Sequence, residues 1–141
     1  MRIMAIDYGD AHTGIAISDP TGLLAGFTTV INAYRPDRVT GQIALLAKEH
    51  RVERLVLGHP INMDGTRGPR SEKAQAMRQL LKETTGLPVV LWDERRTTID
   101  AHRILFDAGK NAKKRKKTVD AVAASLILEG YLTFRRTRGE N

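Results

Sequence analysis

The chain has 141 residues and no cysteine, which excludes disulfides, thiol redox chemistry and thiolate metal sites. Its formal net charge is +7, from 23 Lys plus Arg against 16 Asp plus Glu, and much of the excess lies in one run, "KNAKKRKK" at 110–117. The sequence shows no signal-peptide pattern and no stretch near the roughly 18 apolar residues of a membrane span. We therefore expect one soluble, cytoplasmic domain over 1–141 that does not bind membranes.

The first part of the chain predicts three strands in an antiparallel meander. The strands cover "RIMAID", "TGIAIS" and "LLAGFTTVI", and turns at "YGDAH" and "DPTG" separate them. Asp37 is then predicted to cap a helix that ends near His50. One face of that helix is apolar and is formed by Val39, Ile43, Leu46 and Ala47.

The second part alternates strands with helices. "RLVLGHP" and "LPVVLWDE" predict buried strands, and Trp92 in the second is expected in the core. Between them, "RSEKAQAMRQLLKET" predicts a helix that ends at Gly86 and turns inward Ala74, Met77, Leu80 and Leu81. The chain continues with a helix at about 97–108, a basic loop at 109–117, a helix over "TVDAVAASLILEGYLTF" and a basic C-terminal tail at 135–141. This order predicts an α/β fold with a mixed five-stranded sheet and helices on its faces.

Acidic residues follow two of the predicted strands, at the sheet edge where ligands collect in such folds. Asp7 follows the first strand, and Asp93 and Glu94 follow the last. Because strand side chains alternate, only one of the last two can face a shared site, and we choose Glu94 for its longer side chain. Asp7 could instead be an ordinary turn residue or the acid of a phosphate-binding loop.

A third acid, Asp120, lies on the last predicted helix. It shares a helix face with small and apolar residues, namely Ala123, Ala124, Ile127 and Tyr131. A carboxylate on a packed face is costly unless it is hydrogen-bonded, paired or bound to a metal. The alternative is that Thr118 caps the helix and Asp120 only complements the positive end of the helix dipole.

Three carboxylates at strand ends would form an all-oxygen site, which suits Mg²⁺ or Mn²⁺ and not zinc. Two such ions about 4 Å apart can activate a water and stabilise the leaving oxygen in phosphodiester hydrolysis. The basic run directly before Asp120 would then bind nucleic-acid phosphates. Its predicted contacts are Lys113, Lys114, Arg115, Lys116 and Lys117. The alternative is a solvated loop that only keeps the protein soluble.

These residues make the chain similar to the YqgF (RuvX) family of the ribonuclease H-like superfamily. The resemblance runs through "MAIDYGDAHTGIAISDP", "LVLGHPINMDGTRGPRSEKA", "LPVVLWDERRTT" and "KKRKKTVDAVAASLILEGYL". It implies a ribonuclease H-like fold, with three antiparallel and two parallel strands. It also implies a divalent-metal nuclease that matures the 5′ end of 16S ribosomal RNA in bacteria. Cleavage of four-way DNA junctions is the older assignment for the family.

The resemblance also assigns the acids one by one. Asp7 matches the acid of the family's first strand, Glu94 that of its "DER" motif, and Asp120 that of its C-terminal helix. The chain departs from the family where His12 and Thr13 replace a basic residue and Ile, where "GHP" replaces "GLP", and where "DERRTT" replaces "DERLTT". None of these changes removes a carboxylate; they affect expected substrate contacts near His12, His59 and Arg96.

Further nucleic-acid contacts are predicted at Arg70 and Arg95. The stretch "NMDGTRGPRSEK" offers backbone amides and a helix start as a phosphate cradle, with Arg67 and Arg70 beside it. A Gly- and Pro-rich turn that only precedes a helix is the alternative. His12 and His59 could carry protons or bind metal, although an isolated loop histidine is more often a surface or hydrogen-bonded residue.

Two rival functions and the partners stay open at this stage. "DYGDAHTG" is similar to the phosphate loop of actin-like ATPases, but those proteins close two such domains around the nucleotide. A non-catalytic nucleic-acid adaptor would use the same fold and basic run without cleavage. The expected partners are precursor rRNA or branched DNA, and ribosomal particles. The protein is expected to be a monomer, or a weak homodimer if it cuts junctions.

Overall fold

The computed structural model describes residues 1–22, 25–60, 64–93 and 112–138, with the backbone alone at 112–120. Its strands are β1 (Arg2–Asp7), β2 (His12–Ser18), β3 (Ala25–Asn32), β4 (Val52–His59) and β5 (Val89–Asp93). Its helices are α1 (Pro36–Glu49), α2 (Pro69–Thr85) and α3 (Ala112–Thr137). The predicted helix at about 97–108 lies outside these ranges. Over the ranges described, no helix combines the length and apolarity that crossing a bilayer requires.

The five strands form one sheet in the order β3-β2-β1-β4-β5. β1, β2 and β3 pair antiparallel, whereas β4 pairs parallel with β1 and β5 parallel with β4. The predicted mixed sheet is therefore confirmed. Both parallel connections return the chain so that β1, β4 and β5 end at the same edge of the sheet.

The central strand β1 is buried on both faces of the sheet over residues 3–6, where all four residues are apolar. Alternate residues of β1 belong to two separate cores: Met4 and Ile6 to one, Ile3 and Ala5 to the other. The first core includes the buried residues of α1 and α2, and the second includes those of α3. Trp92 lies in the second core, as expected. Helices thus cover both faces, as predicted.

The start of α1 differs from the prediction. Arg35 is the N-cap residue and Pro36 occupies the first turn, so Asp37 is not the cap. Proline is well suited to this position because it has no N–H to leave unpaired and its φ is already helical. Asp37 lies one residue further on, within 3.1 Å of Arg35. Leu46, predicted to face inward, is only partly buried against the core.

Helix α2 ends as predicted, at Gly86 in the left-handed conformation. Ala74, Met77 and Leu81 are buried as expected, but the prediction for Leu80 was wrong, because its side chain is 37% exposed. Leu80 and Leu81 are adjacent and therefore differ by about 100° around the helix, so α2 packs only one of them against the sheet.

The prediction of a basic loop at 109–117 was wrong for the residues that the structure describes. Residues 112–117 form the first turns of α3, and residues 109–111 are not described. Lysine and arginine are good helix formers and no Gly or Pro interrupts 112–117, so nothing in that stretch opposes the helix. Thr118 consequently lies inside the helix and does not cap it. The helix also continues past the expected end, so that 135–137 of the predicted basic tail are helical.

Candidate active site

Asp7 ends β1 at the shared edge of the sheet. In β1, Ile3 and Ala5 belong to the core that packs against α3. Because side chains alternate along a strand, Asp7 continues that series and lies on the α3 side of the sheet. It is in register with Gly14 of β2, the only residue type without a side chain to crowd it.

Asp93 lies on the opposite face of the sheet. Trp92 is in the α3 core, so alternation puts Asp93 on the side of α1 and α2. It is in register with His59 of β4, and its charge acts on that histidine. Asp93 and Asp7 therefore belong to opposite faces of the sheet. Glu94, our predicted ligand, lies outside the described residues, as does Arg95.

Helix α3 runs antiparallel to β1. An Arg54 guanidinium nitrogen donates to the Tyr131 hydroxyl at 2.8 Å, and Arg54 is in register with Ile3 near the start of β1. Further along the helix, Arg135 approaches the sulfur of Met1 at 3.8 Å. The C-terminal half of α3 thus lies at the start of β1, and its earlier turns lead toward the edge where Asp7 lies.

The fully buried Ala124 anchors the middle of α3 against the sheet. Asp120 precedes Ala124 by four residues, so the backbone puts both on the same side of the helix. The side chain of Asp120 is not described. No acid lies in the first turn of α3, and Asp120 is eight residues after Ala112. Since the helix dipole acts within about the first turn, it does not account for this aspartate.

Because Asp7 is the last residue of β1, it also borders a small cleft of about 60 Å³ that opens at the sheet edge toward α2, next to another predicted residue, Arg70. We call it the Asp7 cleft, and its lining is formed by Asp7, Tyr8, Gly9, Asp10, Gly58, Pro60, Arg70, Lys73 and Ala74. Lys73 lies 3.2 Å from the Asp10 carboxylate. The cleft therefore combines carboxylates from the β1–β2 turn with two cations from the first turns of α2, an arrangement suited to a phosphate bound near a metal.

Lys73 and Tyr8 were not selected from the sequence. Lys73 is an ordinary lysine in a helical pattern, and only the packing of α2 beside β1 brings it to the site. Burial raises the pKa of Tyr8, the Asp10 carboxylate raises it further, and Lys73 opposes them. Tyr8 is thus held as the neutral phenol, which can donate a hydrogen bond at the cleft.

His59 is a buried, hydrogen-bonded residue. Its Nε2 lies 2.6 Å from the Ser71 hydroxyl oxygen, and both side chains are buried. Burial lowers the pKa of His59, Arg67 lowers it further, and Asp93 raises it. The pair ties the end of β4 to the first turn of α2, which carries Arg70 and Lys73. His59 therefore positions the wall of the Asp7 cleft.

His12 also has a side-chain partner. Its Nδ1 lies 2.6 Å from the side-chain oxygen of Asn32, its register partner in β3. In the part of the chain that the structure describes, no three His, Asp or Glu side chains gather closely enough to hold a metal ion. Asp7 is the one member of the proposed acidic triad whose side chain is described. Carboxylates are nevertheless the ligands that Mg²⁺ and Mn²⁺ prefer, so the proposed donor set fits those ions.

Comparisons with known proteins agree with this architecture. A family model described as "RuvX: Holliday junction resolvase" matches residues 1–134. This chain belongs to the RuvX family. A relative from Halothermothrix orenii, named "Putative pre-16S rRNA nuclease", is 44% identical over 134 residues, which are 95% of this chain and 96% of the relative. A Bacillus subtilis relative with the same name is 43% identical and covers 94% of this chain and 97% of its own length.

Solved structures show that the RuvX fold is shared with resolvases. Thermus thermophilus RuvC in complex with a Holliday junction substrate superposes with a TM-score of 0.61 at 14% identity, over 96% of each chain. The yeast mitochondrial Holliday junction resolvase Ydc2 superposes with a TM-score of 0.56 at 13% identity, over 95% of this chain and 78% of that one. Membership of the RuvX family and the expected ribonuclease H-like fold are therefore confirmed.

Proposed function

We propose that this RuvX protein is a divalent-metal-dependent nuclease that trims the 5′ end of precursor 16S rRNA. Asp7, Glu94 and Asp120 would bind Mg²⁺ or Mn²⁺, and the substrate would lie along Arg70, Arg95 and the basic start of α3. The observation that carries the proposal is the antiparallel course of α3 along β1, which leads from the start of β1 toward Asp7.

The lengths of the two elements support a meeting of Asp7 and Asp120. The Tyr131 hydroxyl is bonded to the guanidinium of Arg54, whose backbone is in register with Ile3, so Tyr131 lies near the start of β1. From there, Asp120 is eleven residues back along the helix, or about 16 Å at 1.5 Å per residue. Asp7 is four residues along the strand, or about 13 Å at 3.3 Å per residue. The two lengths are similar, which supports placing both acids near the same edge and on the same side of the sheet.

Alternation in β5 supports Glu94 over Asp93 as the third ligand. Asp93 belongs with His59 to the face of the sheet that α1 and α2 cover, whereas Asp7 belongs to the face that α3 covers. Glu94 is the neighbouring acid in the sequence and the family's matching residue. The proposal therefore keeps Glu94 and assigns Asp93 to the electrostatic surroundings of His59.

The bound ions would supply an activated water and stabilise the charge of the leaving oxygen. The residues of this chain would do the rest. Arg70 and Lys73 orient the phosphate beside Asp7, and the neutral Tyr8 hydroxyl can donate to one of its oxygens. The basic run lies one turn before Asp120 in α3, so strand binding and cleavage would occur side by side.

The relatives' names favour ribosomal RNA as the substrate, and the family description keeps the DNA junction as a second candidate. An RNA-trimming enzyme can act as a monomer in the cytoplasm, on free rRNA or on ribosomal particles. A junction cutter needs two active sites and hence a dimer. The assembly in solution and the preferred substrate should therefore agree with each other.

The test compares cleavage of a precursor 16S rRNA fragment with cleavage of a four-way DNA junction, with Mg²⁺ or Mn²⁺. Asp7→Asn and Asp120→Asn should each slow cleavage at least about 100-fold, because each removes charge from the metal site. Asp37→Asn is the matched control, since Asp37 is an exposed helical carboxylate that pairs with Arg35, away from the proposed site. Cleavage that survives both site variants would refute the assignment. Binding without cleavage at any metal concentration would favour the adaptor.

A further inference from the structure

A second, larger cleft adjoins the Asp7 cleft. It encloses about 360 Å³ between α2 and the turn from β3 to α1. Its apolar lining includes Tyr34, Met77 and Leu80. We call it the Tyr34 cleft. Its volume lies within the range of about 300–1,000 Å³ that is usual for pockets that hold small organic groups.

Two large apolar side chains of the Tyr34 cleft are exposed to solvent. Tyr34 is 78% exposed and Leu80 is 37% exposed, above a buried Met77. An aromatic ring and a leucine at one opening form an apolar surface that water covers at a cost. An aromatic ring that is so exposed has both its face and its hydroxyl available to a ligand.

The two clefts share a wall. Tyr8, Asp10 and Lys73 line both of them. A ligand that lies in the Tyr34 cleft therefore extends directly toward Asp7 and Arg70. This continuity, together with the Lys73 cation at the junction, suits a ligand with an apolar, flat part and an adjoining negative charge.

We propose that the Tyr34 cleft binds an unpaired nucleobase of the substrate strand, whose neighbouring phosphate enters the Asp7 cleft. The inference rests on the proposed nuclease function and adds that the substrate is single-stranded next to the cut. The base stacks on Tyr34 and covers Leu80. Its phosphate meets Lys73 and Arg70. A base within a duplex is already stacked and paired, so it cannot enter the cleft.

The carboxylate of Asp10 gives the Tyr34 cleft a hydrogen-bond acceptor. Asp10 lines that cleft as well as the Asp7 cleft. One of its oxygens lies 3.2 Å from Lys73. A carboxylate can also accept a hydrogen bond from the amino group on the edge of a base. The cleft therefore offers a stacking surface and an acceptor to one ligand.

The test measures binding of the full-length protein to a fluorescent 12-nucleotide single-stranded RNA, to the matching DNA strand and to the blunt RNA duplex. EDTA is present, so that cleavage does not interfere. Tyr34→Ala should weaken binding of both single strands roughly 5- to 150-fold, the range for loss of one stacked base, with no change for the duplex. Tyr34→Phe should restore binding because the ring is kept. Leu45→Ala is the matched control, since Leu45 is 70% exposed and lines neither cleft.

Each result decides one of the two proposals. A Tyr34→Ala protein that binds single strands as the wild type does, or loses duplex binding equally, overturns the base cleft. If the wild type then still cleaves precursor rRNA with Mg²⁺ or Mn²⁺, the nuclease proposal stands alone. If Tyr34→Ala loses binding of single strands but not of the duplex, and the wild-type protein cleaves no substrate, the base cleft is supported and the nuclease proposal is refuted. If Leu45→Ala binds single strands as the wild type does while Tyr34→Ala binds them more weakly, the base is located at the Tyr34 cleft.

Discussion

The turn after Asp7 tolerates no side chain at Gly9, and this gives a sharp test of how the site is built. A methyl group added at Gly9 would overlap the main-chain carbonyl oxygen of His12. Because the obstacle is backbone, the turn between β1 and β2 has to shift. Overpacking of this kind costs about 1–3 kcal/mol. The shift would also move Asp7 relative to Arg70 and Lys73 in the Asp7 cleft.

Gly41 in α1 is the matched control for Gly9→Ala. Apart from its own helix backbone, no atom of the described residues lies within 4 Å of a methyl group added there, so Gly41→Ala should stabilise the protein by about 0.5–1 kcal/mol through helix propensity. For 141 residues, 1 kcal/mol corresponds to roughly 3 °C in Tm.

The assay for both glycine variants is thermal unfolding by circular dichroism, with cleavage of precursor rRNA at a temperature where each variant is folded. Gly9→Ala should melt about 3–10 °C lower and cleave more slowly, whereas Gly41→Ala should melt about 2–3 °C higher at unchanged activity. A Gly9→Ala protein with wild-type Tm and wild-type cleavage would show that the turn does not depend on its glycine.

Two further predictions concern charge. Burial lowers the pKa of His59, so this histidine binds a proton less tightly in the folded chain than in the unfolded chain. The free energy of unfolding is therefore highest above the ordinary histidine pKa of about 6.5 and decreases as the pH falls below that value. His59→Gln should therefore flatten the decline in unfolding free energy below about pH 6.5, measured by urea denaturation; parallel curves for the two proteins would contradict this. Removing the positive charges at the start of α3 should weaken nucleic-acid binding for all sequences. It should also reduce the slope of log affinity against log salt by up to roughly 3–4 units, measured by fluorescence anisotropy. An unchanged slope would show that the run does not contact phosphates. The variant for that test replaces with alanine Lys113, Lys114, Lys116 and Lys117.

Local pattern was sufficient for most of the fold. Apolar runs and turn residues predicted all five strands, and Gly86 marked the end of α2 because a left-handed residue there favours glycine. The wrong predictions concern segments where two local preferences oppose each other, and the sequence pattern alone does not show which of them dominates. Pro36 fixed the start of α1 ahead of Asp37, and the lysines at 113–117 continued α3 where their charge had suggested a loop.

The sequence by itself determined which side chains are available: the acids Asp7, Glu94 and Asp120, the basic run, and the alternation that makes β1 apolar on both faces. Only the tertiary structure decided where they lie. Contacts between residues far apart in the chain set the direction of α3 along β1, as in the bond from Arg54 to Tyr131, 77 residues away. The same packing turned Asp93 away from Asp7, brought Lys73 beside Asp10 and left Tyr34 exposed above an apolar cleft. Periodicity specifies the face of one element, whereas the position of one element against another depends on the fit of the whole core.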